Sequence, residues 1–279
     1  MVSIIIPSRN EIFLEKTIQN LLDNATGEIE ILVVLDGYNP PERNTDPRVR
    51  YIHHEPGIGM RAGINSAAKM AKGEFLMKID AHCMVDSGFD QKLTVDCTDN
   101  TVVIPRRYKL DEDKWSIKES EPPVDYEHFI YPLKFDPISL HGFRWKERAE
   151  SRKDILIDDT LSFQGSCWFM KKSHFDKHGF LTIEGYNGLP QQEAEEIGLT
   201  TWLSGGRVVV NKKTWYAHLF KGAKHGRGYF IDRGQTRDCY RFSYNHWVNE
   251  NKEGFIQLIE KFWPIPGWPT NWKEKLWIP

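Results

Sequence analysis

Apolar residues fall into two rhythms over the first eighty positions, and the alternation between them predicts a fold. Residues 2–6 form a β-branched apolar run that reads as a buried strand and stops at Pro7-Ser8-Arg9-Asn10-Glu11. Ile12, Leu14, Ile18, Leu21 and Leu22 follow at helical spacing, and that helix closes near Gly27. A second apolar strand over 29–35 ends at Asp36-Gly37, with the turn Asn39-Pro40-Pro41 beyond it, and a short third strand spans 49–53. Gly57-Ile58-Gly59-Met60-Arg61 then leads into a helix with Ile64, Ala67, Ala68 and Ala71 on its apolar side. After Gly73 another apolar run breaks off at Asp80-Ala81-His82-Cys83. Strands that alternate with amphipathic helices predict a mostly parallel α/β sheet with helices on both faces.

Beyond Cys83 the pattern loosens. Residues 101–105 read as a strand, whereas 106–159 are polar, aromatic and proline-rich with little period and read as an insertion. An extended pattern returns over 161–171, followed by a short helix to His178, a helix over 192–203 closed by Gly205-Gly206, and two short strands over 207–210 and 214–219. Glycines and cations over 221–229, with Gly222, Gly226 and Gly228, suit a lid that closes on an anion. The tail carries Phe262, Trp263, Trp268, Trp272 and Trp277 and is expected to pack over the domain, because a basic amphipathic face is missing.

Composition narrows the class. With 279 residues, 40% hydrophobic and 27% charged, the chain is a soluble globular protein. A formal net charge of −2 gives no global case for nucleic acid or membrane. The four cysteines, Cys83, Cys97, Cys167 and Cys239, contain no CxxC pair and read as reduced thiols. The first strand leaves no room for a leader and no apolar run nears the roughly 20 residues of a spanning helix, so the expected location is cytoplasmic.

Candidate chemistry sits at strand ends, where open α/β sheets bind their ligands. Asp80 and His82, two residues apart, can offer a carboxylate oxygen and an imidazole nitrogen to a divalent ion, a mixture that Mn²⁺ tolerates. Gly57-Ile58-Gly59 lacks the spacing of a dinucleotide-binding loop.

In order and spacing, Ile5-Ile6-Pro7 with Asn10-Glu11, Val34-Leu35-Asp36, Gly59 through Asn65, Lys72-Gly73-Glu74 and Asp80-Ala81-His82-Cys83 resemble the GT-A glycosyltransferases of family 2. In the metal motif the chain is similar to the polypeptide N-acetylgalactosaminyltransferases. The glycine pattern around Gly165, the segment 193–206 and Trp215-Tyr216-Ala217-His218-Leu219-Phe220-Lys221 continue the resemblance to about Lys221. It implies a GT-A domain over 1–235, with a nucleotide-binding half over 1–83 and an acceptor half over 84–235, and a helical, Trp-rich extension over 236–279.

The same resemblance implies a transferase that moves a sugar from a UDP-sugar to an acceptor hydroxyl with Mn²⁺ or Mg²⁺. Asp80, His82 and His218 would ligate the metal. Asp36 and Glu11 resemble the acids that contact uracil and ribose, and Arg61 the basic residue near the nucleotide; Pro7, Asn10, Asp80 and Lys221 complete the expected donor site. Glu193 and Arg61 are the expected catalytic residues. Inverting relatives place a second acid after the first, acting as base, and here that position is Ala194, which favours a retaining reaction with Glu193 positioning the sugar or acceptor. The alternatives are an inverting enzyme with Glu193 as base, a non-catalytic nucleotide-sugar or glycan binder, and a metal-dependent nucleotidyl or phosphoryl transferase. Sugar, protein, lipid carrier and hydroxymethylated base all remain compatible as acceptor.

Overall fold

In the computed structural model, described over residues 1–132, 140–226 and 232–276, the first eighty residues alternate strand and helix as their pattern predicts. Strands β1 (Val2–Ser8), β2 (Ile29–Asp36), β3 (Val49–His54) and β4 (Phe75–Ile79) are parallel, β1 lying between β2 and β4 with β3 outermost. Every residue of β2 and β4 is buried, as parallel strands covered on both faces require. The helices α1 (Leu14–Asn24) and α2 (Met60–Met70) take opposite faces: Leu14, Ile18 and Leu21 pack with Ile4 and Ile6, while Ile64 and Ala67 pack with Ile5 and Leu32.

The second half corrects the expectation for 106–159. Strands β5 (Cys83–Val85), β6 (Thr101–Asp111), β7 (Ser116–Ile117), β8 (Glu127–Phe129), β9 (Gly142–Arg144), β10 (Ile157–Asp159), β11 (Cys167–Lys171) and β12 (Arg207–His218) follow. The central sheet runs β10-β12-β6-β11-β4-β1-β2-β3, with β5 joined to β12 and β7 to β6. Both β6, which continues past Pro105 to Asp111, and β10 belong to this sheet, so only the residues between them form an excursion. The two short strands expected over 207–219 are one strand, β12, whose register with β6 shifts between Asn211 and Trp215. Pro105, which has no N–H to donate, stands opposite Asn211, the last pair before the shift. The sheet is mixed: β11 is antiparallel to both β4 and β6, while most paired residues lie in parallel ladders.

The helices α3 (Phe89–Val95), α4 (Lys146–Ser151), α5 (Lys172–His178), α6 (Glu193–Leu203), α7 (Gly222–His225), α8 (Arg233–Tyr244), α9 (Lys252–Phe262) and α10 (Trp272–Leu276) complete the chain, with a π-helical turn over Asn245–Glu250. Phe89 and Leu93 join the α1 face; α5, α6 and α9 cover the α2 face. The tail packs into that second core through Phe255, Ile259, Trp268 and Trp272, and the Trp268 indole donates to the Phe129 carbonyl at 2.8 Å. Removing a buried aromatic such as Phe255 would cost about 3–5 kcal/mol, which makes the tail part of the core. Trp277 lies outside the described residues. The four cysteines are buried free thiols, and among the described residues no helix is long and apolar enough to cross a membrane.

Candidate active site

Strand pairing assembles the site. β5 runs antiparallel to the end of β12 with His218 opposite Cys83, and the Leu219 N–H donates to the His82 carbonyl at 3.1 Å. This register sets the two rings side by side, Nε2 to Nε2 at 3.1 Å. Asp80 follows β4 directly, its N–H held by the Ser166 carbonyl at 2.9 Å, and its Oδ2 lies 3.4 Å from His218 Nε2 and 3.8 Å from His82 Nε2. One donor atom from each of the three lies within 4.8 Å of the others.

The surroundings prepare those atoms as ligands. His82 Nδ1 donates to Glu11 Oε2 at 3.0 Å, which places the proton on Nδ1 and leaves the Nε2 lone pair facing the cluster. Burial pushes the His218 imidazole down to about 4, against its hydrogen bond to Asp80, so the ring is neutral at pH 7. Burial would raise the Asp80 carboxyl, but the Lys78 ammonium and then His218 and His82 more than offset it and hold it well below the usual carboxylate range. One carboxylate oxygen and two imidazole nitrogens, His82 Nε2 and His218 Nε2, therefore converge within reach of a single ion. That mixture of two imidazole nitrogens and one carboxylate oxygen is one that a divalent ion such as Mn²⁺ tolerates.

Behind Asp80 lies a residue that the sequence reading missed. Lys78, 1% exposed, donates to Asp80 Oδ1 at 2.7 Å, to the Gly165 carbonyl at 2.6 Å and to Glu193 Oε2 at 3.3 Å. Lys78 is paired in register with Trp168 on β11, whose indole donates to Glu193 Oε1 at 2.8 Å. Both oxygens of Glu193, the first residue of α6, are thus committed from the sheet. Gly165 permits this approach, because a Cβ there would stand 2.9 Å from Glu193 Oε2. Burial lifts the Glu193 carboxyl above its ordinary range even though Lys78 and Trp168 pull it down. A lone cation inside the apolar run of β4, two residues before Asp80, was the available signal; the Trp168 contact needed the register of β11.

The other expected residues are distributed as follows. Asp36, at the end of β2, accepts the Ile58 and Gly59 N–H groups on Oδ1 at 2.5 and 3.0 Å and has Arg9 3.6 Å from Oδ2. Glu11 is buried between His82 and Lys221, whose ammonium donates to Glu11 Oε2 at 2.8 Å. Pro7 lies in β1, and Asn10 follows it with φ of 52°. Arg61 does not stand where the sequence reading put it. It is 0% exposed, donates to the carbonyls of Leu189 at 2.7 Å, Gln191 at 2.8 Å and Thr182 at 3.3 Å, pairs with Glu196, and stacks 4.1 Å from the Tyr186 ring. Its guanidinium fastens the loop that delivers Gln192 and Glu193. Of the expected lid, α7 is tied to Glu112 by Lys224 and His225, and residues 227–229 lie outside the described residues.

On the far side of Glu193 opens a cleft of about 960 Å³, floored by Glu127, Glu193 and Glu195 and walled by α8. The sequence profile of glycosyl transferase family 2 matches residues 3–179. The chain belongs to that family. This family 2 chain is 25% identical to polypeptide N-acetylgalactosaminyltransferase 11 of Xenopus tropicalis over 79% of its length and 38% of that protein's. It is 34% identical to the uncharacterized glycosyltransferase EpsJ of Bacillus subtilis (strain 168) over 37% of its length and 32% of that protein's. A crystal structure of GalNAc-T7 with UDP, GalNAc and Mn²⁺ superposes on 99% of this chain and 54% of that one, with a TM-score of 0.70 and 16% identity. S. aureus TarS 1–349 in complex with UDP-GlcNAc superposes on 92% and 71%, with a TM-score of 0.59 and 14% identity. These likenesses establish the GT-A fold. The chain spans between about a third and a half of the curated relatives it matches.

Proposed function

We propose that the protein is a metal-dependent glycosyltransferase that moves a sugar from a UDP-sugar to an acceptor hydroxyl with retention of configuration. The observation that carries this reading is the convergence of Asp80, His82 and His218 at strand ends, linked through Lys78 to Glu193 at the floor of a cleft. The presence of UDP with GalNAc-T7 and of UDP-GlcNAc with TarS supports a UDP-sugar donor, and the Mn²⁺ of the former supports the ion. Asp80, His82 and His218 would hold Mn²⁺ or Mg²⁺, which as a Lewis acid neutralises charge that grows on a departing diphosphate. Asp36 would accept a hydrogen bond from the uracil ring, with Pro7, Asn10 and Lys221 beside the nucleotide. Glu11 orients His82 and Arg61 orients the loop before α6, both as positioning residues.

Retention follows from Glu193. With Oε1 bonded to Trp168 and Oε2 to Lys78, this carboxylate is braced to hold a sugar rather than to swing and collect a proton. In a front-face reaction the C1–phosphate oxygen bond breaks, the acceptor oxygen bonds C1 on the same face, and its proton passes to the departing phosphate oxygen. One observation favours the inverting alternative: burial raises the Glu193 carboxyl towards the range in which a general base operates. A UDP-release screen with Mn²⁺ identifies the donor, and proton NMR of the first-formed product from an α-linked donor then decides the outcome. An α-linkage is expected; a β-linkage would overturn retention and make Glu193 the base.

A further inference from the structure

The cleft beyond Glu193 holds polar groups that the protein leaves unanswered. Gln192 is 3% exposed and lines this cleft, yet both atoms of its amide lack a hydrogen-bond partner. Its backbone is left-handed, with φ of 62°, a conformation that a non-glycine residue holds only where the surroundings impose it. A buried amide with neither its donors nor its acceptor used stands out against the general rule of satisfaction. On the facing wall, Arg233, Thr236, Arg237 and Tyr240 recur at the spacing that gathers side chains on one face of α8.

Two of the three carboxylates on the floor of the cleft are paired with cations, whereas the charges on the wall are open. Arg107 donates to Glu127 at 2.6 Å, and Lys78 lies 3.3 Å from Glu193. Glu195 accepts the Gly142 N–H at 3.2 Å and has His141 at 4.0 Å. Arg233 and Arg237 are exposed and have no acidic partner among the described residues. None of Asp80, His82, His218 and Asp36 lines this space.

We propose that the cleft is the acceptor site and that the acceptor is a small hydroxyl compound bearing a phosphate, which Arg233 and Arg237 bind while the Gln192 amide takes a neighbouring hydroxyl. This inference rests on the glycosyltransferase reading. A guanidinium fork matches phosphate oxygens two at a time, and a pair of them on one helix face suits a discrete anion. The volume is that of a small-molecule pocket, and two open arginines do not make the cationic track that a polymer backbone needs.

Calorimetry in the presence of UDP and Mn²⁺, with glucose 6-phosphate and glucose as probes, tests the assignment. The phosphorylated probe should bind at least about tenfold tighter than glucose, and the Arg233→Gln/Arg237→Gln protein should lose that preference while its affinity for UDP stays within about twofold. Gln192→Ala should weaken both probes alike. Equal binding of the two probes overturns the proposal. So does a fall in UDP affinity in the double variant, which would assign the arginines to the donor's diphosphate, and so does a single-stranded oligonucleotide that outcompetes glucose 6-phosphate. If UDP binds with Mn²⁺ and the probes are not distinguished, the acceptor assignment alone falls; if UDP does not bind, the donor reading falls with it.

Discussion

The buried chain Asp80–Lys78–Glu193 joins two regions that differ in how far the protein has completed them. At the cluster, two of the three groups that would face a cation are held from behind: Glu11 fixes the His82 ring and Lys78 fixes Asp80 Oδ1, while the β5–β12 ladder places the His218 backbone and its buried Nδ1 has no partner among the described residues. At the cleft, the Gln192 amide has no partner and two arginines face open space. A ligand of fixed geometry needs a rigid shell, and a ligand that brings its own donors and acceptors needs vacancies. On the proposed reading, the first region would take the ion and the second a polar, hydroxylated compound.

Breaking the cluster should have the largest effect. His218→Ala removes one of the converging nitrogens, and the expected loss of Mn²⁺-dependent UDP release is at least about 100-fold, since even partners behind a ligand are worth 10–100-fold. Circular dichroism should report an unchanged fold. A variant with unaltered turnover would remove His218 from the metal assignment.

Cutting the link between the regions comes next. Lys78→Met keeps a similar volume but leaves the Asp80 and Glu193 carboxylates near one another without their shared cation, and breaking such a buried arrangement costs about 3–5 kcal/mol. Urea denaturation measures it. A loss under about 1 kcal/mol would mean that the two regions are independent, because that is the size of an exposed pair.

How much of this could be read in the sequence follows the same division. The strands that end at Asp36 and Asp80 are short apolar runs bounded by glycine and acid, so their positions follow from local pattern, and with them Asp80 and His82. His218 came from resemblance, because only the β5–β12 register brings it beside His82. The second half of the chain resisted for physical reasons. β6 runs past a proline, β12 bends where that proline interrupts the ladder, and α6 is buried almost all round, so no amphipathic stripe marks which face meets the sheet. Arg61 misled because a cation near a glycine turn suggests phosphate, whereas its partners are carbonyls of a loop more than a hundred residues away in sequence. Gln192 carries no local signal beyond its place before a helix.

Within the donor region, Asp36→Ala should weaken UDP by about 1–3 kcal/mol through a lost hydrogen bond. The same change frees the Ile58 and Gly59 amides, so Asp36→Asn sharpens the measurement: it keeps an acceptor for the turn while altering what faces the base. Calorimetry that finds UDP and GDP bound equally by the unmodified protein would count against a uracil site.

The smallest expected effect is a pH dependence that separates the cluster from the core. Burial pushes two histidines down to about 4, His218 at the cluster and His174 under α6, where its Nε2 meets the Thr201 hydroxyl at 3.0 Å. Unfolded, each ring takes a proton near its ordinary 6.5; folded, neither does until about 4. Between those values the unfolded state holds more protons, so stability rises with pH and is lost as pH falls from 6.5 towards 4, by up to about 1.4 kcal/mol per pH unit for each ring. Glu193 and Glu195, raised by burial, protonate first in the folded state and offset part of that loss. Glu11 and Asp80, held low, add to it only near and below their ordinary values of 4.5 and 3.8. Urea midpoints across this window should therefore flatten in both His174→Gln and His218→Gln. Saturating Mn²⁺ tells the two apart: an ion competes with protons at His218 but not at His174, so the acid loss should steepen with Mn²⁺ in the unmodified protein and in His174→Gln, and be unchanged by Mn²⁺ in His218→Gln, where His174 alone sets the slope. Equal steepening in all three proteins would place the ion elsewhere than on His218.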